Sequence, residues 1–506
     1  MAEKIFEAGL DAVALGLRPG VQTLSRGFWS DARNVLFDAF GAHAVPGRQY
    51  VQFTDLLFDS ASGNFDSATG FFDEVTGTNE ELTTLLGGEV TGLNTLFVEG
   101  TRRLIIGTRT KLFSYSGSDP ATEIGTGFTG YGDGAGARDA TRWSFAPWGA
   151  WFAATNGVDA AQYWNGSAIG AIPDTPFTRC EVLFAMGPNL VAWNTSNGVG
   201  WIEWCANDDL TEWDPSASPS AGNLQARNIR SPGRAAAPLS NGAYALYTET
   251  EIRILRRVSA ELVFGVFDGP VGFGAVSKNS IVVVGGLHYG LQSNGIFTTD
   301  GFSARMMTYP LFGTWLEKAI NWEQRSKISG YYSRATNEIC WAVPTAGSLH
   351  NNLVVRYNLS TGQISFSNLA FTVGLSADFL TYPIVGTQGG AVFAADKLWC
   401  DCGTAVERWA QSVPLDFGAR NRWKTLDVLQ IELDEDQGGL DLTIGTHETV
   451  EGEVAWGTPV ALDPGVNQIY PNVDGIFFTF KFSRTGTAEW TLARLQGFGT
   501  INGRDF

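Results

Sequence analysis

Trp151-Phe152-Ala153-Ala154, Asn156-Gly157, Ala161-Gln162-Tyr163-Trp164, Asn165-Gly166: two short apolar strands, each closed by an Asn-Gly pair, decide how the rest of the chain is read. Asn-Gly and Asp-Gly mark two-residue hairpin turns of the primed type, because such turns need positive φ, which Gly accepts freely and Asn or Asp tolerate. Working outward, the same punctuation recurs at Asn197-Gly198, Asn241-Gly242, Asn294-Gly295, Asn502-Gly503, Asp133-Gly134, Asp268-Gly269, Asp300-Gly301 and Asp474-Gly475. Between the turns lie strand-like pieces such as 104–107, 112–115, 190–193, 201–204, 244–247, 252–255, 338–343 and 353–357. The chain reads as all-β, built from hairpins.

The landmarks fall roughly every 45–50 residues, the length that a four-stranded propeller blade occupies. The expectation is a β-propeller of six to eight blades over residues 51–410. It is preceded by an extended N-terminal arm, 1–50, ordered on a partner, with a short helix at 8–17 ended by Arg18-Pro19-Gly20. A string of sandwiches is the competing architecture; even hairpin spacing and the lack of a Pro/Ser linker count against it. Near 410–423 the pattern changes. Leu440, Leu442 and Ile444 alternate with Asp441 and Thr443, and Ile476, Phe478, Phe480 and Phe482 alternate with Thr479, Lys481 and Ser483. That period of two is the signature of half-buried strands, so residues 411–506 are expected to form an antiparallel β-sandwich.

With 506 residues, 44% hydrophobic content, 61 Gly and only 17% charged residues, the chain can bury more than one core. Its net charge of −18 opposes a general grip on nucleic acid or anionic lipid. Five cysteines, an odd number, imply no disulfide framework and read as small core residues. The N-terminus lacks the apolar stretch of a signal peptide, and nowhere do ~18 apolar residues run together as a membrane span needs.

Motifs for chemistry are absent. The four histidines, His43, His288, His350 and His447, are scattered and read as structural or surface residues. No Gly-x-Ser-x-Gly elbow or Gly-Lys-Ser/Thr loop occurs, and the glycine-dense 130–136 reads as a loop. Cys400-Asp401-Cys402 offers two thiols without a second ligand pair, so they are expected to stay unliganded. Two acidic clusters, Asp208-Asp209 with Glu212 and Asp214, and Asp434-Glu435-Asp436, lack the alternation and turn glycine of a calcium loop and read as solvated loops. Carboxylates for glycoside hydrolysis could be gathered from distant strands, but Phe65-Asp66-Ser67-Ala68-Thr69-Gly70-Phe71 only faintly matches the repeat box of propeller sialidases. Most of the 17 Trp are expected in cores or at ring interfaces. No catalytic, cofactor-binding or metal-ligating residue is assigned.

Five stretches, taken in order, carry a resemblance. They are Trp29-Ser-Asp-Ala-Arg-Asn34-Val-Leu-Phe37 leading to Pro46-Gly47-Arg48; Ile202-Glu-Trp-Cys-Ala-Asn207-Asp-Asp-Leu-Thr-Glu-Trp213-Asp; Leu287-His-Tyr-Gly-Leu-Gln-Ser293-Asn-Gly295-Ile-Phe-Thr-Thr-Asp300-Gly301, after Phe264 and Gly272-Phe-Gly-Ala-Val; Val354-Val-Arg-Tyr357 through Ser365-Phe366; and Leu495-Gln-Gly-Phe-Gly-Thr-Ile-Asn-Gly503-Arg504. Together they resemble the tail-hub and tail-nozzle β-propeller proteins of tailed bacteriophages. The acidic, Phe-rich insertion around 59–86 and the leader depart from that pattern.

The resemblance implies a structural virion protein, made in the host cytoplasm and built into the tail. It implies a homo-oligomeric ring, six copies in the short-tailed nozzle members, flanked by other tail proteins, with genomic DNA passing through the lumen without specific binding. A carbohydrate-binding receptor adhesin, its sugar held by the C-terminal sandwich, is the alternative; a propeller glycosidase ranks third.

Overall fold

The computed structural model describes residues 4–11, 29–37, 42–51, 82–98, 101–117, 120–130, 142–149, 151–229, 231–259, 262–398, 401–417, 419, 422–433, 440–450, 452–463, 465–486 and 489–505. Among these, seven four-stranded antiparallel blades close into a ring. Their innermost strands are Val90–Val98, Ser144–Trp148, Cys180–Met186, Gly233–Pro238, Ile281–Val284, Ser329–Ser333 and Val373–Leu375. Each blade runs outward from its innermost strand in chain order. The seventh differs: its fourth strand is Arg48–Tyr50, paired with Val392–Ala395. The ring is thus latched by chain from the other side of the sequence. At the seam, Thr372 Oγ1 donates to the Val90 carbonyl at 2.5 Å and Val90 N donates to Thr387 O at 3.1 Å.

Six of the expected turn glycines (Gly157, Gly166, Gly198, Gly242, Gly295 and Gly301) take positive φ. Their Asn or Asp neighbours do not. Instead, the side chains close the turns as acceptors: Asn165 Oδ1 takes the Ser167 and Ala168 amides, and Asp300 Oδ1 takes those of Phe302 and Ser303. The turns sit where expected but are not primed, and those at Asn156, Asn165, Asn241 and Asp300 are closed Asx-fashion by the side-chain oxygen. Three of the remaining pairs are not turns. Asp268-Gly269, Asp474-Gly475 and Asn502-Gly503 lie within strands Phe264–Val271, Val473–Gly475 and Thr491–Asp505, where long-range pairing overrides local turn preference. Asp133-Gly134 lies outside the described residues.

Trp residues mark the blade interfaces. Trp143 of the second blade donates its indole N–H to the Thr108 carbonyl of the first at 2.7 Å, and Trp341 of the sixth donates to Ser280 of the fifth at 2.9 Å. Buried Trp193 of the third lies against Gly233 of the fourth, where a Cβ would meet its ring at 2.7 Å. Between blades six and seven, fully buried Arg356 binds Glu338 at 2.8 Å and Asp396 at 3.0 Å, and Asp396 also accepts from Tyr331 at 3.3 Å.

The C-terminal strands form two packed sheets. Leu426, Leu429, Ile431 and Leu433 on Arg422–Leu433 meet Leu442, Ile444, Phe478, Phe480 and Phe482 of the opposite sheet in one core. The boundaries differ from the expectation because the first fifty residues divide between the two units. Trp29–Arg33 pairs with Val406–Ser412 of the sandwich, Val35–Phe37 meets blade six through Phe366, and Ala42–Ala44 pairs with the start of Thr491–Asp505. Lys4–Asp11, expected in part as helix, is a strand along residues 494–501; its residues alternate well enough to complete a sheet edge, and residues 12–17 lie outside the described residues. Blade six therefore continues through these strands into an eleven-stranded sheet that includes one face of the sandwich.

Pro310–Ala319 forms an α-helix that the hairpin reading did not anticipate. Pro310 starts it at a position where its missing N–H is harmless. Phe312 and Leu316 bury one face, and Trp315 stacks on Phe366 with centroids 4.8 Å apart. The core runs without a break from blade five through this helix and blade six into the sandwich.

Candidate functional site

In each blade the turn between the second and third strands, and the chain entering the innermost strand, emerge on one face of the ring. On that face a basic residue recurs at the entry to the innermost strand in blades two to six: Arg142, Arg179, Arg234, Lys278 and Lys327. Arg325 stands two residues before Lys327. This repeat brings scattered cations of an acidic chain to one mouth.

The mouth opens into a cavity of about 660 Å³, walled by loops of blades two, three and four and by residues 323–326 before blade six. Two carboxylates organise its cations. Glu181 contacts Arg179 at 3.4 Å and Lys278 at 3.2 Å. Glu249 takes Arg234 at 2.7 Å and Arg325 at 3.2 Å. Burial would raise the Glu249 carboxyl, but the Arg234 hydrogen bond and the Arg234 and Arg325 charges hold it below the usual carboxylate range. Deeper, Arg142 is 3% exposed; its guanidinium donates to the Thr372 carbonyl and lies 3.7 Å from Glu89, which also binds Arg109. Lys278 Nζ donates to the Arg142 carbonyl at 3.1 Å. Below, the ring axis holds a cavity of about 190 Å³ lined by inner strands.

The residues singled out from sequence lie elsewhere. His288 is buried between blades four and five. Its Nε2 faces the Pro238 carbonyl at 2.7 Å, so Nε2 carries the proton and Nδ1 accepts from Tyr247 Oη at 2.7 Å. Burial lowers its pKa, as it does that of His447, which contacts Thr479 at 3.0 Å. Cys180, Cys205 and Cys340 are buried, and burial pushes the first two thiols up to about 12 and about 11. Cys402 is half-buried at φ 48°, whereas Cys400 lies outside the described residues.

In the first acidic cluster, Asp209 accepts from the Thr211 amide at 2.9 Å and Asp214 from the Ser216 amide at 2.8 Å, so the carboxylates cap their own turns. The second cluster, the side chain of His43, residues 131–136 of the glycine-dense loop and most of the 59–86 insertion lie outside the described residues. Among the described residues no group of three or more His, Cys, Asp and Glu could hold a metal ion, and no helix is long and apolar enough to cross a membrane.

The basic mouth escaped sequence reading because its members stand 37 to 55 residues apart. Relative to the inner-strand entries they fall within three residues of the first strand residue, a clustering that only the blade boundaries expose.

No protein-family model and no curated protein matches the chain. Among solved structures it is similar to PorZ, a surface component of the type-IX secretion system of Porphyromonas gingivalis, at 10% identity and TM-score 0.35, covering 65% of this chain and 42% of that one. It is also similar to BamB from Moraxella catarrhalis, at 11% identity and TM-score 0.34 over 60% of this chain and 84% of that one. Virginiamycin B lyase from Staphylococcus aureus gives 10% identity and TM-score 0.39 over 61% and 94%. Likeness this loose carries no functional argument; the architecture rests on the chain's own seven closed blades, and the protein is a β-propeller joined to a β-sandwich.

Proposed function

We propose that this chain is a structural protein of a bacteriophage tail, assembling as a ring that forms part of the tail hub or nozzle and of the DNA-ejection conduit. One observation carries the reading furthest: blade six, the N-terminal strands and the sandwich share a single sheet and a single core. Two units joined that way resist being pulled or twisted apart, which suits a part that bears load. The resemblance of the five sequence stretches supports the same role.

The propeller axis, at about 190 Å³, is far too small for a duplex, so DNA would run between copies, along the axis of the ring. Side-to-side contacts close into a ring when the rotation per copy divides the circle. A sugar-holding sandwich finds less support, since its exposed rings Trp456 and Tyr470 stand on or beside strands of different sheets.

Native mass spectrometry of the purified full chain, with proteomics of purified particles, tests the proposal. Rings of six, and the chain among virion proteins, are expected. A monomer at every micromolar concentration and no chain in particles would overturn it.

A further inference from the structure

We propose that the mouth of the propeller is a docking site for a carboxylate-rich peptide segment of a partner protein. The proposal stands apart from the ring reading, because it concerns one copy and one face.

The cavity of about 660 Å³ falls within the range of built ligand sites, ~300–1,000 Å³. Its charge differs in sign from that of the whole chain. Among the described residues that line it, Arg179, Arg234 and Arg325 outnumber Glu181 and Glu323 by one, and Lys278 and Glu249, paired to this set from behind the lining, cancel each other, so the wall carries one positive charge in excess on a chain of net −18. An acidic segment is repelled by the general field and drawn to this mouth, which makes the site selective as well as attractive.

The geometry favours carboxylates. Arg179 and Arg325, 40% and 42% exposed, present guanidinium edges to solvent: Arg179 uses Nη1 for Glu181 and the Gly157 carbonyl, and Arg325 gives Nη2 to Glu249 and Nη1 to the Trp322 carbonyl, so each keeps further N–H donors. A planar fork with donors to spare is matched to a carboxylate's two oxygens. Asn156, Asn194, Thr195 and Ser196 add neutral donors and acceptors to the wall. Among the described residues no aromatic side chain lines the cavity, so they offer a sugar ring no flat face to stack on. Nucleic acid is disfavoured because the basic area is a single pit on an acidic surface and offers no stripe along which phosphates could run.

Fluorescence anisotropy with a labelled acidic heptapeptide, Gly-Glu-Asp-Glu-Glu-Asp-Gly, tests the site on the full chain. Its partner probe carries Gln and Asn in place of Glu and Asp. Binding of the acidic peptide is expected at 50 mM salt, with at least tenfold weaker binding of the neutral one. Arg179→Gln with Arg325→Gln should weaken acidic-peptide binding at least tenfold, with a melting temperature near that of the parent because both side chains are well exposed. Arg334→Gln, remote from the mouth, should leave it unchanged. Lack of acidic-peptide binding, equal binding of both probes, an unaffected double variant, or glucuronate bound more tightly than the peptide would each overturn the proposal.

Discussion

Arg48 grips Asp401 across 353 residues of chain with two parallel hydrogen bonds, Nε to Oδ1 at 2.8 Å and Nη2 to Oδ2 at 2.7 Å. Its third donor, Nη1, reaches the Ala370 carbonyl at 3.1 Å. The pair sits where Arg48–Tyr50 completes the seventh blade, so a side-chain clamp reinforces the strand that closes the ring. Arg48→Ala should cost about 2 kcal/mol, the scale of charged hydrogen bonds lost from a half-buried site. Asp401→Asn, which keeps one acceptor, should cost about half that. Guanidinium unfolding curves check both; equal stability of parent and Arg48→Ala would show the latch rests on backbone pairing alone.

Asn34 couples the two units. It is fully buried at φ 56°, donates from Nδ2 to the Glu407 carbonyl at 2.6 Å and accepts the Asn368 amide at 2.9 Å. Alanine would orphan both groups and add left-handed backbone strain, so Asn34→Ala should cost about 3 kcal/mol. Asn34→Gly should recover only the strain, about 1 kcal/mol. Hydrogen exchange should rise in Ile364–Ser367 and Val406–Ser412 together; faster exchange in one alone would argue against the coupling.

Gly233 is required by its neighbour. A Cβ there would meet the Trp193 ring at 2.7 Å, and that ring has no room to retreat because it is fully buried. Gly233→Ala should destabilise by roughly 1–3 kcal/mol through overpacking. Combining it with Trp193→Phe should cost less than the two single losses added, since the smaller ring vacates the contested space. Additive losses would place the strain elsewhere.

Stability should fall as pH drops through about 6.5. His288 and His447 both have pKa values lowered by burial from the ordinary 6.5. Below that pH the unfolded chain takes up protons that the folded chain refuses, so stability is full above 6.5 and declines toward the folded pKa, by at most ~1.4 kcal/mol per pH unit per group. Asp209, Asp214 and Asp300, lowered by hydrogen bonds from their own turns, act in a separate window below about 4. His288→Gln, which can still bridge Pro238 and Tyr247, should flatten the slope between pH 7 and 5.5 in denaturant titrations. An unchanged slope would assign the effect to other groups.

Local signals read well where the chain itself supplies both partners. The alternation of Phe478, Phe480 and Phe482 was legible because each strand needs only its own two faces, and Gly157 or Gly301 because one residue's φ decides a turn. Asp268-Gly269 misled because its turn preference lost to pairing with Arg253. The helix at Pro310–Ala319 was hidden because its apolar positions, Phe312, Trp315 and Leu316, are too few to stand out among strands.

The sequence by itself determined an all-β chain, hairpin after hairpin, with alternating strands such as Leu440–His447 and Phe477–Gly486 near its end, because glycine conformation and period-two alternation are properties of neighbouring residues. Tertiary structure decided the number of blades, the closing of the seventh by Arg48–Tyr50, the sheet shared with the sandwich and the basic mouth. Each of these joins residues tens to hundreds of positions apart, and only the closed ring fixes which of them meet.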